Sequence, residues 1–144
     1  MDDNQAVSRK IVILGRKIRN KRNVFAKALS LTSEQADALR YFADAPRRTI
    51  TDFKDYRQIT HQTARLIVKR LVDRQLLQLE ANPNDGRAKL VSLTAAGRVK
   101  WQQLDRHIAS TSQTLFTGFT PEEQRRFLAM LDQISQNLEG VDVF

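Results

Sequence analysis

The stretch from Thr51 to Leu93 constrains the fold more than any other part of this chain. It reads as helix, short turn, helix, strand, a charged tip rich in turn residues, and a second strand. Its centre is Thr60 to Leu76. Thr60 is a good helix N-cap, because its hydroxyl can accept a bond from a first-turn amide that has no partner inside the helix. Ala64, Ile67, Val68 and Leu71 then follow the i, i+3, i+4, i+7 rule, so one face is expected to be buried. The opposite face carries Gln62, Arg65 and Lys69, with Thr63 beside them and no acid among the four. Amides, hydroxyls and cations on one helix face suit the DNA major groove: Gln pairs with adenine, Arg with guanine, and Lys with guanine or phosphate. Taken alone, the same helix also reads as an ordinary solvated amphipathic helix.

The flanking segments narrow that choice. Thr49-Ile50-Thr51 reads as a short extended piece, and Thr51 as the cap of a brief helix over Asp52 to Arg57 anchored by Phe53 and Tyr56. Only Gln58 and Ile59 lie between that helix and the Thr60 cap, and a connection that tight makes a helix-turn-helix. Leu77 and Leu79 then alternate with Gln78 and Glu80. Residues 81–87 hold Pro, two Asn, Asp and Gly, a turn composition, and Lys89 to Leu93 resumes as a strand. A hairpin placed directly after a helix-turn-helix makes a winged helix.

The rest of the chain is helical by pattern. Residues 7–29 place Val7, Ile11, Leu14, Ile18, Phe25 and Leu29 near a heptad stripe. Thr32 with Gln35 reads as a capping box opening a second helix that stops at Asp44-Ala45-Pro46. Thr94 caps a later helix with Gly97 in its first turn and Trp101, Leu104, Ile108 and Leu115 along one side; Gly118 ends it. Thr120-Pro-Glu-Glu123 opens the last helix with cap, proline and glutamate in order, and Gly140 closes it. The expected fold is therefore mostly α (α+β): about six helices and a small β-hairpin wing. The expected segments are residues 1–31, 32–93 and 94–144.

Charge placement points to a partner. The net charge is +8, with no acid from Asn4 to Ser33. Residues 1–31 hold eight basic and two acidic residues, and residues 46–93 hold ten and five, so the positive charge lies in two blocks. Concentrated cations imply a polyanion, nucleic acid before membrane, since no basic helix here has a broad aromatic side for lipid. The long first helix could flank a phosphate backbone or be a solvated face held by its apolar seam.

Several classes are set aside. There is no cysteine, which removes disulfides, thiolate metal sites and thiol redox sensing. No apolar run approaches the roughly 18 residues of a membrane span, and the opening Met-Asp-Asp-Asn-Gln lacks a signal-peptide core. A cytoplasmic protein is the expectation. The two histidines, His61 and His107, lie far apart, and neither H-E-x-x-H, G-x-S-x-G nor a phosphate-binding glycine loop is present, so no enzyme, cofactor or metal site is expected. The competing functional classes are a non-specific or architectural DNA-binding protein and a winged-helix protein-interaction module.

Across residues 7–140 the chain resembles the MarR family of bacterial transcription regulators, named for multiple antibiotic resistance. The motifs are Leu31-Thr-Ser-Glu-Gln35, the Ala64-to-Leu71 pattern ending Arg70-Leu-Val-Asp-Arg-Gln-Leu-Leu77, the wing Asn82-Pro-Asn-Asp-Gly-Arg-Ala88, and Val91-Ser-Leu-Thr-Ala-Ala-Gly97. The family's wing usually reads D-P-x-D-x-R; here Asp85 and Arg87 match and Asn82 replaces the first Asp. Gln75 stands where the family usually has Gly, and Gly86 where a second wing Arg is common. Lys54, Tyr56 and Arg57 replace smaller or apolar residues.

The resemblance implies a homodimer joined through its N- and C-terminal helices, acting on double-stranded DNA as a transcriptional regulator, a repressor in the first instance. Recognition helices would enter successive major grooves roughly 34–36 Å apart on a palindromic operator. Gln62, Thr63 and Arg65 are then the candidates for base edges, with His61 at the groove's rim, Lys69 on phosphate and Arg87 at the wing tip in a minor groove. Asp85 would pair with a nearby Arg to shape the wing; turn chemistry alone also explains it. The family also implies a small, often aromatic or anionic effector entering between the dimerisation helices and the winged helix, for which Tyr41, Phe42, Trp101 and His107 are candidates. Ordinary core packing competes for these four.

Overall fold

The computed structural model describes residues 2–141. The element order is α1 (Asp3–Ala28), α2 (Ser33–Asp44), β1 (Arg48–Thr49), α3 (Ile50–Arg57), α4 (His61–Asp73), β2 (Leu77–Glu80), β3 (Leu90–Leu93), α5 (Ala95–Leu115) and α6 (Pro121–Glu139). It is the mostly helical winged helix-turn-helix expected from the pattern. By contact it divides into two units, residues 1–108 and 109–144. The first helix thus packs in the same unit as the winged helix.

Helix α1 begins earlier than its apolar stripe suggests. Asp2 caps it, with the Gln5 amide donating to Asp2 Oδ1 at 2.8 Å and the Asp2 amide to Gln5 Oε1 at 3.3 Å. The stripe starts only at Val7, so the first turn leaves no periodic trace, but the capping box fixes the start. At the other end the Leu31 amide donates to the Ala26 carbonyl and Ser30 takes φ +60°, a left-handed stop that buries Leu31.

Helix α2 starts as expected at the Thr32 capping box. Its third residue, Gln35, has a second use. Its buried Oε1 accepts from the Thr32 amide at 3.2 Å and from Arg74 Nη1 at 3.0 Å, which ties the start of α2 to the end of α4.

Three local expectations are corrected between residues 48 and 93. The cap of α3 is Thr49, not Thr51. Thr49 has Asp52 three residues on, and the two exchange both bonds of a capping box, at 2.8 and 3.2 Å; Thr51 has Lys54 there, which accepts nothing. The extended piece is therefore Arg48–Thr49, and it pairs with β3 (Arg48 opposite Val91), making a three-stranded sheet in the order β1-β3-β2 rather than a bare hairpin. Tyr56 does not anchor α3 in the core: it is 58 % exposed, while Phe53 is fully buried.

Because β3 is the central strand, Leu90, Val91 and Leu93 are all buried, whereas the outer strand β2 buries Leu77 and leaves Leu79 exposed. The core joins Leu77, Val91 and Leu93 to Leu39 and Phe42 of α2, Phe53 of α3, and Ala64, Ile67, Val68 and Leu71 of α4. Thr94 closes the wing onto the next helix: its hydroxyl donates to the Gln75 carbonyl at 2.6 Å and accepts from the Gly97 amide at 3.0 Å. Gly97 is required there, because a Cβ would collide with the Leu76 carbonyl.

In the second unit, Phe116 meets Phe119 and Phe127 edge-on at 5.6 and 6.4 Å. Thr120 and Glu123 form the expected capping box of α6, yet no residue of α6 is buried. Among the described residues no helix is long and apolar enough to cross a membrane, and no cluster of His, Cys, Asp or Glu could hold a metal ion.

Candidate nucleic-acid interface

The burial of α4 decides which of its side chains face outward. With 3.6 residues per turn, the buried set of Ala64, Ile67, Val68 and Leu71 puts Gln62, Leu66 and Lys69 on the opposite pole, with Arg65 and Thr63 to either side. His61, Gln62, Thr63, Arg65 and Lys69 are all exposed. The Thr60 hydroxyl accepts the Thr63 amide at 3.1 Å and donates to Thr63 Oγ1 at 2.8 Å, which sets the first turn and leaves the Thr63 hydroxyl proton free to donate. Lys69 Nζ pairs with Asp73 at 2.9 Å, one turn further on, with both side chains largely in solvent. A pair that exposed contributes about 0.3–0.5 kcal/mol, little enough for a phosphate to replace the carboxylate.

Leu66 is the member that a search for polar groups misses. It is 46 % exposed at the centre of the outward face. Together with Val72 of α4, Ile50 of α3 and Leu79 of β2 it floors a shallow groove of about 380 Å³ whose other walls include Gln62, Arg65 and Lys69. The sequence does carry a signal for it: a leucine outside the buried repeat of an otherwise polar face.

At the wing, Asp85 and Arg87 are exposed at the tip. The Asp85 carboxylate accepts the Arg87 backbone amide at 2.9 Å, and Asn82 Oδ1 accepts the Asn84 amide at 3.0 Å. Both are side-chain turns that preform the loop. Asp85 thus shapes the wing through a backbone amide rather than through the guanidinium pairing that the resemblance implies, and the Arg87 guanidinium is left in solvent.

The four aromatic candidates separate. Trp101 and His107 of α5 line a cavity of about 700 Å³, together with Arg19 and Arg22 of α1, Arg40 of α2 and Arg57 of α3. Tyr41 and Phe42 do not line it. Phe42 is core, and Tyr41 stacks on Tyr56 at 4.7 Å with the Arg48 guanidinium 4.1 Å over its ring. Burial pushes the Tyr41 phenol above its ordinary pKa, against the opposing pull of Arg48. Inside the cavity Arg57 is paired with Asp37. The His107 ring stacks on Phe25 at 3.9 Å, and its Nε2 and the Nε of Arg22 are buried without a hydrogen-bond partner among the described residues. The two orphaned nitrogens, and the guanidinium groups of Arg19, Arg22 and Arg40 set against the one further carboxylate of Glu34, favour an anionic guest. The arginines come from three different helices, so no linear motif announces them.

The three-stranded sheet, the tight turn between α3 and α4 and the exposed, acid-poor face of α4 define a winged helix-turn-helix protein. The MarR family model matches residues 29–88, so over that span the chain is similar to the MarR family. Solved structures share the fold across most of the chain. Staphylococcus aureus MarR in complex with salicylate and kanamycin is 18 % identical, with 96 % of this chain and 94 % of that one covered and a TM-score of 0.85. A mutant of E. coli MarR complexed with operator DNA is 22 % identical, covering 93 % and 99 %, with a TM-score of 0.74. A mutant of S. aureus MepR bound to an oligodeoxyribonucleotide is 22 % identical, covering 92 % and 97 %, with a TM-score of 0.65. No curated protein sequence matches the chain.

Proposed function

We propose that this protein is a sequence-specific DNA-binding transcription regulator that sits on a palindromic operator as a homodimer, represses by occupying it, and releases it when a small anion enters the α1–α2–α5 cavity. The observation that carries the reading is the outward face of α4: a fully buried underside fixes Gln62, Arg65, Leu66 and Lys69 outward as one surface of amide, cations and one apolar group. Those are the groups that distinguish base pairs in a major groove. The DNA-bound relatives of the same fold support the choice of partner, and the salicylate-bound one supports a small-molecule guest. No reaction is assigned to the chain.

In this reading Gln62, Thr63 and Arg65 read base edges, with His61 at the rim. Leu66 meets a thymine methyl, Lys69 exchanges Asp73 for a phosphate, and Arg87 enters the minor groove on a wing held by Asp85. The dimer is built from the exposed apolar faces of the terminal helices: Val7, Ile11 and Leu14 on α1, and Phe127, Leu131, Ile134 and Leu138 on α6.

The test is binding to the DNA upstream of its own gene against scrambled DNA, at two salt concentrations. A regulator prefers its site by roughly 10³ or more. Equal and steeply salt-dependent binding to both would leave an architectural DNA binder, whose affinity comes from phosphates alone. Arg87→Ala is expected to weaken binding on every sequence and Arg65→Ala to relax specificity at one position; equal losses on all operator variants would refute that division.

A further inference from the structure

Helix α1 carries eight cations and, between Asn4 and Ser33, the chain has no acid. Two of the eight, Arg19 and Arg22, turn into the cavity, where Glu34 and Asp37 of α2 also lie. The other six are Arg9, Lys10, Arg16, Lys17, Lys21 and Lys27, and all are exposed. At 3.6 residues per turn they occupy less than half of the helix circumference. None forms an ion pair among the described residues. Around α3 and α4, by contrast, Lys54, Arg57 and Lys69 each have a carboxylate within pairing distance. So one-signed a track repels itself, Lys17 and Lys21 most directly at i, i+4 spacing, and a bound polyanion removes that cost.

We propose that this face of α1 is a second DNA-binding surface, a track for backbone phosphates on a different helix from the one that reads bases. It rests on the reading of the chain as DNA-binding, but not on sequence specificity. The six exposed cations run from Arg9 to Lys27, about 27 Å at 1.5 Å per residue, long enough to face several phosphates of one strand at roughly 3.4 Å per phosphate. The C-terminal end of α1 is held: Lys100 Nζ of α5 donates to the Leu29 carbonyl at 2.7 Å, so the track is fixed to the winged helix rather than trailing from it. DNA fits better than a lipid surface. The cationic arc contains no aromatic residue, and the one aromatic of α1, Phe25, is stacked on His107 instead of being offered to a membrane.

The experiment uses the full-length protein and measures the salt dependence of binding on two duplexes, one limited to the recognition site and one with flanking DNA. The variant replaces Arg9, Arg16, Lys17 and Lys27 by Gln, which keeps helix propensity. Each lost phosphate contact lowers the slope of log affinity on log salt by about 0.9, so the slope is expected to fall by about 3–4 per copy, with at least a tenfold loss at low salt. The ratio of upstream to scrambled affinity should not move. A swap variant (Arg9→Lys, Arg16→Lys, Lys17→Arg, Lys27→Arg) should keep the wild-type slope. Lys10→Gln with Lys21→Gln, tested separately, should lose about half as much as the fourfold variant, which guards against a fourfold variant that fails to fold. Loss confined to the longer duplex would place the phosphates beside the recognition site; loss on both, with wild type able to bridge two duplexes, would place them on a second one. A wild-type slope in both Gln variants overturns the proposal, as does a loss of binding only to vesicles of anionic phospholipid. If the slope falls but wild type shows no upstream preference, this inference stands and the regulator reading fails. If wild type prefers the upstream DNA but neither Gln variant changes the slope, the regulator reading stands and this inference fails.

Discussion

Helices α4 and α6 both repeat apolar residues at helical spacing, yet α4 buries Ala64, Ile67, Val68 and Leu71 while α6 has no buried residue. In α4 the apolar side is satisfied within its own chain, by Leu39, Phe53, Leu77 and Val91, so the side left in water is polar and free for a ligand. In α6 the apolar side is itself the surface: Phe127, Leu128, Met130, Leu131, Ile134 and Leu138 are all more than a third exposed. An amphipathic helix therefore offers for binding whichever face its own fold leaves open. For α4 that is the face of amides and cations, and for α6 the face of hydrocarbon. The first suits DNA, and the second, in the proposed dimer, suits a second copy of the same helix.

The largest expected effect lies beneath α4. Phe53→Ala empties a fully buried position where α3 meets α2, within 5.6 Å of both Phe42 and Tyr41 ring centres. It should cost about 3–5 kcal/mol in urea unfolding. A loss below about 1 kcal/mol would mean that the α2–α3–α4 core collapses around the gap, and the contrast with α6 would lose its basis.

On α6 the matching change is Leu131→Glu. As Leu131 is already 37 % exposed in the single chain, its replacement should cost little within the chain. The cost falls on association, where a carboxylate would be buried without a partner. At roughly 1–3 kcal/mol per buried polar group, two such groups per proposed dimer and tenfold per 1.4 kcal/mol, the dimer dissociation constant should rise by at least about thirtyfold by analytical ultracentrifugation. A wild type that is monomeric at micromolar concentration would break the comparison outright.

The open face of α4 is sharpened by a chemical change in the DNA. If Leu66 meets a thymine methyl, replacing that thymine by uracil weakens the wild type but not Leu66→Ala. Arg65→Ala instead loses discrimination at a different base pair, by roughly 1–3 kcal/mol or about tenfold to a hundredfold. Equal sensitivity of both variants to uracil would remove Leu66 from the reading set.

What can be read from sequence follows from the range of each signal. The buried repeat of α4 and the caps at Thr32, Thr60, Thr94 and Thr120 depend on residues three or four apart, and each lies where the pattern puts it. The start of α3 also obeys a three-residue rule, but Thr49 and Thr51 compete for it as equal threonines; only the residue three further on, Asp52 against Lys54, separates them. A two-residue strand such as β1 is too short to alternate, so an extended piece is legible near residue 49 but its pairing with β3 is not. Of the cavity only Trp101 and His107 are named from the sequence, and those through the family resemblance; Arg22, Arg40 and Arg57 join them only after four helices have packed. The exposed leucine at position 66 is legible but easily passed over, because looking for polar groups on a polar face hides the apolar one.

The smallest effect comes from how the two helices end. Helix α6 has glycine at its C-cap, but Gly140 sits at φ −83° and uses none of glycine's freedom; a Cβ there would meet the Asn137 carbonyl at an ordinary 3.5 Å. Helix α4 has no glycine, yet Gln75 takes φ +61°, with the Gln75 amide bonded to the Val72 carbonyl and the Leu76 amide to the Leu71 carbonyl, both at 2.9 Å. That is the left-handed stop glycine usually provides. It is held here against its local preference because Leu76 is buried behind it and Thr94 takes the Gln75 carbonyl. A non-glycine residue in this region costs roughly 1–2 kcal/mol, while glycine costs about 0.4–1 kcal/mol in unfolded-chain entropy. Gln75→Gly should therefore stabilise by about 0.5–1 kcal/mol, and Gly140→Ala should change stability by no more than about 0.5 kcal/mol. The check is the urea midpoint of each variant at one protein concentration with an unchanged slope. A destabilised Gln75→Gly would mean that the glutamine side chain, not the turn, holds the end of α4, and that this helix is ended by a contact rather than by its backbone.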